Sequence, residues 1–146
     1  MGSSFIDFKD YGFWARDTHI ELWLYLLVQE IDKLGARPDW LIEAREHWHE
    51  QATVGFVGWV HPQLDDYLTS RERVDLVIGL SARVLNLLNE KGEYLSGEYL
   101  NARGIGGGGY QPTTNWEMEN FVGVGRKFIE LLKGELRATA STSPVF

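Results

Sequence analysis

Glu43, Glu46, His47 and Glu50 place three carboxylates and an imidazole on one short stretch of this 146-residue chain. On a helix, at about 100° per residue, they fall within roughly a third of the circumference. That arc points away from Leu41, Ala44 and Trp48. Such an arc can face a basic protein partner, hold a divalent metal, or be an ordinary solvated face. Metal sites in helical bundles project inward from facing helices, so an outward arc argues against a metal, and none is assigned. His47 and His49 are two residues apart and diverge by roughly 200° on a helix, which parts them as ligands. Glu46 and His49 have the Glu-x-x-His spacing of di-iron bundles, but those sites need a second such pair and further inward glutamates. No second Glu-x-x-His occurs here.

A second candidate is the run Gly104-Ile105-Gly106-Gly107-Gly108-Gly109-Tyr110. Gly104, Gly106 and Gly109 formally match the dinucleotide fingerprint, which follows a strand and opens a helix inside a βαβ unit. Neither neighbour is expected here, and in so glycine-rich a run the match is nearly automatic. What survives is conformational: glycines accept positive φ and let backbone approach something closely. With Arg103, Tyr110 and Gln111 beside it, the run is either a loop folding over a ligand or a disordered linker. Catalysis by a named residue has little support. His19 lies beside Asp17 and His61 precedes Pro62, but none of Ser70, Ser81 and Ser96 sits in a Gly-x-Ser-x-Gly elbow. The absence of cysteine removes thiol nucleophiles, thiolate zinc sites and disulfides. Catalytic residues are left unassigned and no cofactor is expected.

These side chains must be positioned by helices. Ile20, Trp23, Leu24, Leu27, Ile31 and Leu34 recur at helical spacing behind a Thr18/Glu21 capping box. Leu22, Tyr25 and Leu26 add apolar surface outside that stripe, so this helix is either central or part of a subunit contact. A second helix starts at Asp39. Its end is ambiguous, because Thr53–Val60 reads as a fraying helix or as a strand. Thr69/Glu72 and Thr114/Glu117 open two more helices, to about Glu90 and Lys133, and Ser96 to Arg103 makes a short one. Phe5, Phe8, Tyr11, Phe13 and Trp14 form an aromatic N-terminal segment packed across the helices. The expected fold is all-α: an antiparallel four-helix bundle over residues 1–137, with a long Gly-rich loop before the last helix and a flexible tail at 138–146.

Charge narrows the function. Residues 1–66 hold five Lys/Arg against twelve Asp/Glu, the whole of the net charge of −7, while the rest of the chain balances. Such a surface repels nucleic-acid phosphates and anionic membranes. It suits a basic protein partner, or serves solubility alone. No apolar run approaches the ~20 residues of a membrane span, and no signal-peptide pattern opens the chain, so a cytoplasmic location is expected. The sequence therefore favours a non-enzymatic, protein-binding or regulatory helical module that presents Glu43, Glu46, His47 and Glu50 to a basic partner. The alternative is a small-molecule- or metal-dependent enzyme with its site under Gly104–Gly109. A homodimer through Leu22, Tyr25 and Leu26 is a third arrangement.

Overall fold

The computed structural model describes residues 2–146. An antiparallel hairpin, β1 (Ser3–Phe8) and β2 (Tyr11–Arg16), leads directly into α1 (Asp17–Asp32). Then come α2 (Asp39–Thr53), the single turn α3 (Leu64–Tyr67) and the long α4 (Arg71–Glu90). Strand β3 (Tyr94–Ser96) precedes α5 (Gly97–Ala102) and a 3-10 turn at Ile105–Gly107. Strand β4 (Asn115–Glu117) then returns to pair with β3 before α6 (Met118–Leu132).

The all-α four-helix bundle expected from the sequence is thus overturned. The molecule is mixed α/β, with six helices and two small antiparallel two-stranded sheets among the described residues. The hairpin obeys the period of two: Ser4, Ile6 and Phe8 point inward and alternate with half-buried Ser3, Phe5 and Asp7. Its turn places Lys9 (φ 48°) and Asp10 (φ 73°) in the left-handed region, as the twist of a two-residue hairpin loop favours, but without the Asn or Gly that usually signals it. The second sheet takes Asn115–Glu117, which capping-box spacing assigns to a helix start. Cross-strand pairing of Leu95 with Trp116 wins there, and Glu117 becomes the residue before α6.

Helix α1 runs through the centre. Ile20, Leu22, Trp23, Leu24, Leu27 and Ile31 are each at most 1% exposed, and α2, α4 and α6 all pack on it. Burial of each large side chain contributes about 1.5–3 kcal/mol, so an all-round apolar helix makes the best core element. Leu22 and Leu26 are taken up in this chain's own core, leaving Tyr25 half-buried against the His49 ring. Among the described residues no helix is long and apolar enough to cross a membrane. The chain end runs beside β2: the Phe146 N–H donates to Trp14 O at 2.8 Å and Arg16 N–H to Phe146 O at 2.9 Å.

Two irregular segments close over the first turn of α1. Helix α2 stops at Thr53, and residues 54–62 form neither of the expected elements, because Gly55 (φ 88°) and Gly58 (φ 74°) take left-handed backbone. The glycine segment is pinned at its neck by β3 and β4, and at its tip by fully buried Ile105.

Candidate functional site

The two segments and α1 enclose a cleft of about 210 Å³. Its floor is the first turn of α1, where Asp17, Thr18 and Glu21 lie on one side of the helix at positions i, i+1 and i+4. Gly55 and Val57 form one wall, and the backbone of Gly106, Gly108 and Gly109 the other. Glycine is required where the walls meet, since a Cβ on Gly55 would stand 2.6 Å from Gly106 O.

The two carboxyl groups in the floor are treated differently. Asp17, 6% exposed, accepts from Ser4 Oγ at 2.6 Å and from the Gly58 N–H at 2.8 Å. Glu21, 3% exposed, has no hydrogen-bond partner among the described residues, and both its oxygens lie against Gly106, 3.1 Å from where a Cβ would stand. Burial, reinforced by the Asp17 charge, pushes the Glu21 pKa up to about 8. At neutral pH Glu21 is therefore mostly the neutral acid.

Tyr110 and Trp116 complete the cleft. Asn101 fixes Tyr110 through both polar atoms of its side-chain amide: Nδ2 donates to Tyr110 O at 2.7 Å, and the Tyr110 N–H donates to Oδ1 at 2.9 Å. The phenol oxygen lies 3.0 Å from Thr18 Oγ1. Burial raises the phenol pKa, with the Thr18 hydrogen bond opposing and the Glu21 and Asp17 charges adding to the rise. Trp116 meets the Tyr110 ring edge-to-face at 5.5 Å, and its Nε1 is buried without a partner among the described residues. His19 serves the core instead: its ring packs on Phe121 at 5.1 Å, and burial lowers its pKa.

Of the residues singled out in the glycine run, Gly106, Gly109 and Tyr110 line the cleft. Gly104 starts the 3-10 turn in left-handed backbone (φ 69°). Arg103 is turned away, its guanidinium 3.5 Å from the Tyr99 ring centroid and donating to Tyr99 O. The acidic arc on α2 is a coherent outward face, with Glu43, Glu46 and Glu50 exposed. Arg45 reaches Glu46 at 3.2 Å, while Glu43 and Glu50 meet no cation among the described residues. His47 has a structural task there, donating from Nε2 to His61 O at 2.8 Å. The described residues contain no group of three or more His, Asp or Glu placed to hold a metal ion.

The residues that sequence reasoning missed are Asp17 and Glu21 as a pair, and the exposed apolar run Val54, Val57 and Trp59 (54%, 70% and 81% exposed). A usable signal for the first was that Asp17, Thr18 and Glu21 share one face at the start of a mostly apolar helix. This chain matches no protein-family model, no curated protein and no solved structure.

Proposed function

We propose that this protein acts by binding a second, basic protein through the outward face of α2 and the segment that follows it. The observation that carries this reading is the adjacency of exposed apolar anchors to exposed carboxylates. Val54, Val57 and Trp59 stand exposed within six residues. Their segment leaves α2 at Val54, whose N–H donates to Glu50 O at 3.0 Å, and returns at His61, whose N–H donates to Gln51 Oε1 at 2.8 Å. The apolar run is thereby folded against the last turns of the helix that carries Glu43, Glu46 and Glu50.

Contiguous exposed apolar surface rimmed by polar groups is the usual mark of a protein contact, and Trp is among the side chains that most often dominate binding energy. The carboxylates add sign. Asp65 and Asp66 of α3 are exposed, and Asp65 accepts from the Lys9 N–H at the hairpin turn, extending the same acidic side. A cysteine-free chain of this charge suits a cytoplasmic inhibitor or regulator of a basic protein. A second reading, a small-molecule enzyme at the cleft, draws on a Glu21 acidity near neutral, which suits proton transfer. Against it, the hydroxyl held on the Asp17 carboxylate, Ser4 Oγ, is buried and does not line the cleft.

The test is affinity capture with the intact protein, followed by identification of what is retained. Wild type should hold one basic protein. Trp59→Ala and the triple variant Glu43→Lys, Glu46→Lys, Glu50→Lys should each lose it while keeping wild-type circular dichroism, and Glu119→Lys should keep it. Equal retention of the same protein by all four overturns the reading.

A further inference from the structure

The cleft offers an acceptor with nothing to accept from. Glu21 is more than nine-tenths buried, has no hydrogen-bond partner among the described residues, and lines the cavity beside Gly106. A buried carboxyl left unsatisfied costs free energy that a ligand's donors recover. The second carboxyl, Asp17, is held rigid by Ser4 Oγ and the Gly58 N–H, and it adds negative potential that excludes an anion. No cation among the described residues lines the cavity: Arg16, next to Asp17 in sequence, is exposed, and Arg103, next to Gly104, is stacked on Tyr99. Tyr110 and Trp116 supply aromatic walls at right angles to each other, surfaces that attract a cation at close range. At about 210 Å³ the cavity lies below the range of ~300–1,000 Å³ typical of drug-sized ligands, so it admits a headgroup and a few carbons.

We propose that this cleft binds a single organic cation, a guanidinium or alkylammonium group, donating to Glu21 and resting against Tyr110 and Trp116. The inference does not depend on the α2 face. The cation belongs either to an Arg or Lys side chain of a docked protein, for which Val57 at 70% exposure marks an open rim, or to a free small amine. Both sources share one chemistry: the incoming charge takes the place of the proton on Glu21. Among the described residues, the titratable groups that line the cleft with Glu21 are Asp17 from α1 and Tyr110 from the glycine segment, while the Gly55–Val57 wall carries none. With the Glu21 acidity near pH 8, binding at pH 7 releases close to one proton to solvent.

Titration calorimetry in two buffers of different ionisation enthalpy tests this with methylguanidinium, its neutral counterpart N-methylurea, and the peptide acetyl-Gly-Arg-Gly-amide. Methylguanidinium should bind with release of about one proton at pH 7, at least about tenfold more tightly than N-methylurea. Glu21→Gln, which mimics the neutral acid, should fold, lose about tenfold or more in affinity and release no proton. A peptide that binds more tightly than methylguanidinium assigns the cation to a protein side chain, and equal affinities assign it to a free amine. Binding of methylguanidinium no tighter than N-methylurea, or unchanged binding and proton release in Glu21→Gln, overturns the proposal.

Discussion

At the scale of single residues, Glu21 is the group whose chemistry departs furthest from that of the same side chain in water. Its sign in stability is opposite to that of a paired carboxylate. Asp32 is held below the usual carboxylate range by its hydrogen bond from Arg45, so its contribution is present above the unfolded pKa and fades as acid protonates it. Glu21 moves from 4.5 up to about 8. Between those limits the folded chain keeps a proton that the unfolded chain has lost, so stability falls as pH rises through the window and levels off above it. Urea unfolding of wild type and Glu21→Gln at pH 5, 7 and 9 isolates the effect. The variant should gain on wild type by a few kcal/mol across that span, whereas a constant difference would show that Glu21 ionises as freely folded as unfolded. The sequence disguised this residue because Thr18 and Glu21 have capping-box spacing. In the structure the helix begins at Asp17 behind Arg16, with no side-chain cap, and the Thr18 hydroxyl bonds Tyr110 instead. A contact spanning most of the chain won over a local one.

At the scale of elements, packing decides what periodicity leaves open. Gly125 of α6 lies against the Trp23 ring of α1, and an added Cβ would overlap the indole directly. Gly79 of α4 is exposed, and an added methyl group there would meet nothing within 4 Å. Two identical substitutions in helix interiors should therefore have opposite signs. Gly125→Ala overpacks the α1–α6 contact and should cost about 1–3 kcal/mol, while Gly79→Ala should stabilise by about 0.5–1 kcal/mol through reduced chain entropy. Thermal unfolding of both variants checks the pair, and equal shifts of one sign would mean that α1 and α6 are not packed this closely. The four long helices were legible in their apolar spacing, while the apolar girth of α1 left open a central place or a subunit contact. The strands were not. The hairpin turns at Lys9 and Asp10 without Gly or Asn, and β3 and β4 are three residues each, too short for an alternating pattern to stand out. The cleft was half legible, since the glycine run stands out by composition while the α1 carboxyls it covers look like ordinary helix chemistry.

At the scale of the whole molecule, charge and shape separate into two tasks. The formal net charge of −7 comes from residues 1–66; the carboxylates of α2 and α3 and Asp10 at the hairpin turn are exposed, while Asp17, Glu21 and Glu30 of α1 are buried. A field of that kind accelerates encounter with a basic surface from beyond contact distance and is screened by salt, with a Debye length of about 10 Å at 0.1 M. The exposed Val54, Val57 and Trp59 act only once contact is made, since burial of apolar surface has no reach. Measured by stopped flow against the captured basic protein, the association rate should fall by about tenfold or more between 20 mM and 500 mM salt. The triple α2 reversal should act mainly on that rate and its salt dependence. Trp59→Ala should leave association nearly unchanged and speed dissociation, because rim charges set encounter while buried anchors set residence. If Trp59→Ala slowed association instead, and the reversal changed only dissociation, the apolar segment would be steering the encounter, and the assignment of α2 as the electrostatic face would fall.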